Sequence, residues 1–511
     1  MNAKTMLAYG ALVLLAVFAL FYNLGDRLLW GDEAETALLA ANITKFGVPK
    51  VTDGKNYITL MGRGHDSNKN HIWVWSPWLD EYVTAASFYL FGKSTFAARF
   101  PFVLIGLFSV LSLALIAHRI YRNHELTILV LLLCVTNVSF LLHARQCRYY
   151  AVVILAQIWL VYGYERLISG QLKRGGFYLV FALAVQFYCN YIVVLGNVLG
   201  LCISTALVYR RNPRLLRSVL ICLAGFAVVT VPWLAYAQPW HQSKHIGLHS
   251  FGTNIFYYLS EVHFHIVPLV LLLIPPIGYF LNWRRPLTHV ATSAAKDTEI
   301  LLWMLIPSQL LILGAAPGNY FRYIVPLVPV LILLASVILV YYLRPRVVRY
   351  LLIVVLCLSN VIAVFSAYPF RGLHTVSMPF VQFIREITSS YEDRLEDVVS
   401  YLRENAEPDE SLFVFDPEFP LIFYSGMRVI DARFSKGLNV RDLPDWIFTE
   451  SASGVFSYPP MQLPKPLLRY YKSVTLTVHD TPRNGCRPAP DVHTSFTSAK
   501  LTKMVIYKKV R

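Results

Sequence analysis

Asp, Glu, Lys and Arg are absent from the middle of every long hydrophobic segment in this chain. Proton-coupled pumps and carriers of charged solutes need such groups at membrane depth, so their absence argues against a secondary transporter. Cysteine is scarce as well. Six of the seven (Cys134, Cys147, Cys189, Cys202, Cys222 and Cys357) fall in or beside hydrophobic segments, where a free thiol behaves as a small apolar group. Cys486 stands alone in a polar tail, so neither a disulfide framework nor a thiolate zinc site follows. No glycine-rich phosphate loop, internal repeat or low-complexity stretch is present. Acids are outnumbered, 30 against 46 Lys and Arg, giving a formal net charge of +16.

What the chain has is apolar length. Its 511 residues are 56% hydrophobic with a mean hydropathy of +0.49, above the range of soluble domains. Runs long enough to cross a bilayer, about 17–25 residues each, recur at about 6–24, 96–117, 125–143, 149–168, 177–190, 191–209, 217–237, 262–281, 300–317, 323–342 and 348–367. The fold class expected is an all-α polytopic membrane domain over 1–370, with about eleven transmembrane helices, and a small soluble α/β domain over 378–511.

The basic excess is explained by its placement. Arg119/Arg122, Arg166/Lys173/Arg174, Arg210/Arg211/Arg214/Arg217, Arg284/Arg285/Lys296 and Arg344/Arg346/Arg349 occupy alternate loops if Lys4 starts in the cytoplasm. The partner of this charge is the bilayer with its anionic head groups, not nucleic acid. The first segment reads as an uncleaved span, because no small-residue cleavage site follows it. An odd span count then puts the loop 25–95 and the tail on one extracytoplasmic side.

That loop is structured in outline. Asp32 to Phe46 spaces Ala34, Ala37, Leu38, Ala41 and Ile43 for an amphipathic helix lying on the bilayer surface, stopped by Gly47 and Pro49. Trp73, Trp75 and Trp78 form an indole cluster of the interfacial type, and Leu79 to Phe91 predicts a second surface helix. The tail shows a helix-like run at 380–404. Short β-type runs follow at Leu412–Phe415, Asp445–Thr449, Ser473–Val478 and Lys503–Lys508.

Candidate chemistry collects at the outer boundary. Asp32 and Glu33 fit a helix cap and first-turn acid equally well as they fit a general base. Arg145, Arg148 and Arg322 sit in short outer loops where the positive-inside rule disfavours them. Phosphate is their natural partner, with snorkelling to lipid phosphate as the plain alternative. His65-Asp66 is a candidate for acid–base support. A divalent metal is left open, with His241, His245 and His249 at helical spacing and His263 and His265 nearby as the residues to hold one.

The stretch Leu29-Trp30-Gly31-Asp32-Glu33-Ala34-Glu35, followed by Ala40 to Gly47, resembles the first outer loop of the dolichyl-phosphate-mannose-protein mannosyltransferase superfamily. It looks nearest the bacterial branch that includes lipid A aminoarabinose transferases. Tyr89 to Pro101, Arg148-Tyr149-Tyr150 and Arg322-Tyr323 with Pro326 to Pro329 are similar to further family features, so the resemblance covers roughly 1–370. It implies a GT-C fold glycosyltransferase of a bacterial inner membrane, with a polyprenyl-phosphate-linked sugar as donor. It also implies a catalytic Asp at Asp32 with Glu33 beside it. One departure stands out: the lysine or acid that relatives carry before the second surface helix is missing, and Trp75-Ser76-Pro77 stands there. Lys69, Asp80 and Glu81 are the candidate substitutes.

The expected reaction is inverting transfer of the sugar to a hydroxyl of a lipid, glycan or protein acceptor. Asp32 serves as base, and the arginines stabilise the leaving phosphate. The rivals are a flippase of lipid-linked sugars, an oligosaccharyltransferase using a pyrophosphate-linked glycan, and a non-catalytic membrane scaffold.

Overall fold

The computed structural model describes residues 3–60, 65–241, 250–280, 293–343, 345–371, 375–389, 393–414, 419–432, 443–450, 464–480, 490 and 500–510. The chain divides into two compact units. One comprises Met1–Tyr22, Phe102–Arg385 and Pro488–Ser495; the other comprises Asn23–Pro101, Glu386–Arg487 and Phe496–Arg511. The division therefore does not fall between 370 and 378. The outer loop and the tail, far apart in sequence, share one unit.

The first unit is helical and membrane-type. Among the described residues, six helices are long and apolar enough to cross a bilayer: Ala3–Phe21, Thr95–Tyr121, Tyr150–Ile168, Tyr191–Val208, Pro213–Ala237 and Ala294–Gly314. Three bent pairs raise the total to nine if each is one span, and Leu327–Tyr341 is a shorter apolar helix. Glycine sets the tightest packing. A Cβ on Gly163 would lie 2.7 Å from the Leu179 nitrogen, and one on Gly175 would lie 2.7 Å from the Leu167 nitrogen. Only glycine lets the Tyr150–Ile168 and Leu172–Phe187 helices meet backbone to backbone, the close approach expected where helices pack without a hydrophobic driving force.

The difference from the expected spans lies at the bends. The 125–143 run breaks at Asn137 by 64°, Phe251–His265 turns by 97° into Leu269–Gly278, and Arg346–Leu358 turns by 95° into Val361–Ala367. Backbone freed at a break must find partners inside the protein, and here the breaks satisfy one another. Asn137 Nδ2 donates to Ile266 O at 3.2 Å, and Ser139 Oγ donates to His265 O at 2.7 Å. His263 Nε2 lies 2.8 Å from Ala363 O. A cavity of about 90 Å³ lies among these breaks, lined in part by Asn137, Ser139, His263, Ile266 and Asn360.

The second unit is built around a five-stranded sheet. Its strands are β1 (Ser411–Val414), β2 (Arg428–Asp431), β3 (Trp446–Phe448), β4 (Tyr471–Asp480) and β5 (Lys500–Lys509), in the order β2-β1-β3-β5-β4. β1 runs parallel to β2 and β3, while β5 runs antiparallel to β3 and β4 with Val474 opposite Ile506. Strand side chains alternate between faces. Leu412, Val414, Trp446, Phe448, Val478, Met504 and Ile506 form one core with Leu395, Val398 and Leu402 of the helix Arg394–Asn405. Phe413 and Ile447 turn to the other face, against Leu467 and Tyr471. Both faces of the parallel part are covered, as parallel strands require.

The two helices expected in the outer loop form, as Gly31–Phe46 and Leu79–Phe91. Their setting differs from a bilayer surface. Ten residues of Gly31–Phe46 are buried, including Glu33, Glu35, Thr36 and Asn42, and the helix packs on Leu79–Phe91 and on the tail helix Phe419–Ser425. Trp73 is fully buried, its Nε1 donating to Ser76 Oγ at 2.8 Å, so this indole is core rather than interfacial belt.

Candidate active site

The acids stand in the first turn of Gly31–Phe46. Trp30 precedes it in extended conformation (φ −80°, ψ 174°) and brings no oxygen to cap the first amides. Asp32 and Glu33 are therefore the anions nearest the positive end of this helix, a placement its dipole favours. They are not equivalent. Glu33 is fully buried and Arg99 grips both its oxygens, Nε to Oε1 at 2.8 Å and Nη2 to Oε2 at 2.7 Å. Arg99 also donates to the carbonyls of Leu24 (3.1 Å), Arg27 (2.8 Å) and Leu28 (3.1 Å). Glu33 Oε2 in turn accepts the Trp30 N–H at 3.4 Å. Glu33 and Arg99 thus form a buried clamp beneath the helix start. Asp32, one residue earlier, is half-buried.

The tail completes this region. Tyr424 OH accepts the Leu29 N–H at 2.9 Å and meets Thr95 Oγ1 at 2.7 Å. Burial pushes its hydroxyl up to about 12, with the bonds from Thr95 and Leu29 and the charge of Arg99 opposing and Glu33 adding. Arg27 pairs with Glu386. Asn56 donates to Met427 O at 3.0 Å and accepts the Val429 N–H at 2.8 Å. Sequence reasoning missed Tyr424, Asn56 and the role of Arg99. The Arg99 motif was visible as a family-like string, but nothing local in it points to Glu33.

The remaining loop candidates separate by burial. Asp66 is buried and its Oδ2 accepts Thr59 Oγ1 and the Leu60 N–H, each at 2.6 Å, so it ties a turn together. Asp80 and Glu81 are buried in the first turn of Leu79–Phe91, whereas His65 and Lys69 are exposed.

In the other unit the outer arginines also divide. Arg145 donates to Ala19 O at 2.9 Å, Leu20 O at 2.8 Å and Tyr22 O at 2.8 Å. It caps the last carbonyls of Ala3–Phe21, where a cation is favoured by the dipole. Arg148 and Arg322 are brought together around Tyr149, whose hydroxyl feels both charges and accepts from Asn190 at 3.0 Å. Arg322 lies over the rings of Tyr320 and Tyr323, 4.5 and 5.7 Å from their centroids, and Arg148 lies 5.8 Å from that of Tyr149. Phe321 stacks on the buried His143 at 5.2 Å, with His265 on its edge at 6.2 Å. Two half-exposed guanidiniums in an aromatic surround suit a phosphate at a lipid boundary.

The histidine readings change. Leu269 N–H donates to His263 Nδ1 at 3.1 Å, so the ring proton sits on Nε2 and points to Ala363 O. Both nitrogens are engaged, which removes His263 as a metal ligand. His265 Nε2 lies 3.8 Å from Glu261. His245 and His249 lie outside the described residues. Among the described residues, no three His, Cys, Asp or Glu side chains gather as a metal centre would need.

No protein-family model and no curated protein matches the sequence. Solved structures match by shape. ArnT from Cupriavidus metallidurans bound to undecaprenyl phosphate is similar with a TM-score of 0.57 at 16% identity, over 84% of this chain and 86% of that one. Apo ArnT from the same organism gives 0.56 at 17% identity with the same coverage. The apo oligosaccharyltransferase of Archaeoglobus fulgidus gives 0.52 at 12% identity, over 84% of this chain and 64% of that one. At these identities the likeness speaks to architecture, and it agrees with the helices and the sheet: the chain has the GT-C fold of a polytopic membrane protein with a small α/β domain.

Proposed function

We propose that this chain is an inverting membrane glycosyltransferase that moves a sugar from a polyprenyl-phosphate-linked donor to a hydroxyl acceptor. The observation that carries the reading is the GT-C fold, matched by an ArnT structure holding undecaprenyl phosphate. Asp32 and the Arg148/Arg322 pair supply the chemistry it needs. Asp32 takes the proton of the acceptor hydroxyl as that oxygen bonds to the anomeric carbon. The bond from that carbon to the phosphate oxygen breaks, and its electron pair leaves on the polyprenyl phosphate. Arg148 and Arg322 stabilise the second negative charge that develops there. Glu33 and Arg99 keep the acid-bearing turn in place. The site faces the outside of a bacterial inner membrane, with the N-terminus cytoplasmic and the tail extracytoplasmic.

Purified protein incubated with polyprenyl-phosphate sugars and hydroxyl acceptors tests this. Asp32→Asn is expected to slow transfer by about 10²–10⁴-fold, the usual contribution of a positioned base. Full turnover by that variant removes Asp32 as base. Movement of lipid-linked sugar across vesicles without transfer, insensitive to Asp32→Asn, favours a flippase. The likeness to an oligosaccharyltransferase makes a pyrophosphate-linked glycan the second donor to assay. A periplasmic reporter fused after Arg511 tests the orientation, and a cytoplasmic signal overturns it.

A further inference from the structure

Among the described residues the tail meets the outer loop at several points, Arg27 with Glu386 and Lys55 with Pro408 O among them, and most densely along Phe423 to Val429. Phe423 meets the Phe88 ring at 6.3 Å and lies under the Lys93 ammonium at 4.3 Å. Lys55 Nζ donates to Gly426 O at 2.7 Å, and Asn56 is bonded to Met427 and Val429. Most of these contacts join surfaces. Tyr424 differs, because its hydroxyl closes a ring of hydrogen bonds around the helix start.

The ring runs as follows in space. Tyr424 oxygen accepts from Leu29, three residues before Asp32, and shares a hydrogen bond with Thr95 Oγ1 at 2.7 Å. Thr95 begins the helix that carries Arg99 one turn later. Arg99 returns to Glu33 and to the carbonyl of Leu28, the residue before Leu29. Asp32 therefore sits beside a closed circuit of which one member alone, Tyr424, comes from the tail. The Trp30 side chain offers no acceptor for the first amides, so the direction of the chain into this helix is set by these outside bonds.

We infer that Tyr424 is a positioning residue: it fixes the Leu29–Glu33 turn through Leu29 and Thr95, and so makes the tail part of the machinery that aims the Asp32 carboxylate. The inference rests on the reading of Asp32 as base given above, and deepens it by assigning the tail a task. Catalytic groups held slightly out of line lose rate without losing substrate affinity.

The test uses the full-length purified protein and Tyr424→Phe, which removes one oxygen and keeps the ring. Hydrogen exchange should rise at least tenfold at the Leu29 amide while the Arg394–Asn405 helix stays protected. With a polyprenyl-phosphate sugar as donor, kcat should fall about five- to tenfold with KM within twofold. In the Asp32→Asn background the same change should cost nothing further, because it acts through Asp32. Thr95→Val removes the other end of the bridge and should act in the same direction, whereas Thr95→Ser keeps the hydroxyl and should not. Unchanged exchange at Leu29 in Tyr424→Phe overturns the proposal, as does an effect that multiplies in the double variant. If Asp32→Asn turns over normally, the functional reading fails while the exchange measurement still decides whether Tyr424 holds the turn.

Discussion

The acid region of the sheet-bearing unit and the arginine region of the helical unit each carry neighbouring like charges, and each separates them, but by different means. Glu33 is closed off by an opposite charge in a buried two-point grip, while Asp32 beside it stays half-exposed. Arg145 is closed off by three backbone carbonyls at a helix end, while Arg148, three residues on, shares Tyr149 with Arg322. An ion pair strongly penalises loss of either member, because the survivor is left charged and buried. A carbonyl cap does not, since its carbonyls are neutral and near a boundary. Proximity to the presumed chemistry is thus a poor guide to which residue performs it.

That contrast is breakable, beginning with its strongest element. Glu33→Gln should destabilise the folded protein by about 3–5 kcal/mol, the cost of an unpaired buried charge on Arg99. Replacing the pair together by Leu and Met should recover much of it. Thermal unfolding of the purified variants measures both, and equal losses in the single and double variants would sink the ion-pair account. Next, Arg322→Ala and Arg148→Ala should each lower kcat by about 10²–10³-fold, the range for removing one charge-stabilising donor. Arg145→Ala should leave turnover per folded molecule near wild type, and a comparable fall there would erase the distinction.

A smaller effect belongs to Tyr424. Its phenol ionises near pH 10 in the unfolded chain and is pushed up to about 12 in the folded one. Below pH 10 both states keep the proton. Between pH 10 and 12 only the unfolded chain sheds it, so stability falls as pH rises, by about 3 kcal/mol at most. Unfolding followed across that window in wild type and Tyr424→Phe should show a slope that the variant lacks. Smallest is Arg145→Met, which should cost about 1 kcal/mol of stability through the lost helix-end cation, with a matching drop in Tm.

Much of the architecture was legible, because it is written in local periodicity. The helices at Gly31–Phe46 and Leu79–Phe91 and four of the five strands follow from residue spacing and stop signals. β2 escaped because Arg428-Val-Ile-Asp431 is too short and too polar at its ends to show alternation. The run at 380–404 is two helices, Pro379–Thr388 and Arg394–Asn405, the second started by Asp393 accepting the Leu395 N–H. The bends at Asn137 and after His265 leave no mark, since the apolar run continues across the first and partners far along the chain hold both. The site was legible only as a set of residue types. Nothing in the spacing separates Glu33 from Asp32 or Arg145 from Arg148, because what separates them is contact with Arg99 and with the end of the first helix.

The unit that carries the acids joins Asn23–Pro101 to Glu386–Arg487 and Phe496–Arg511, with Phe102–Arg385 lying between in sequence. A ribosome adding about 5–20 residues per second makes the acid-bearing loop tens of seconds before the tail that completes its core. For that interval Leu28 lacks its final surroundings, and Leu29 waits for Tyr424. Biogenesis therefore carries a built-in delay: the first helices enter the bilayer early, but the acid-bearing turn waits for Tyr424 to be made.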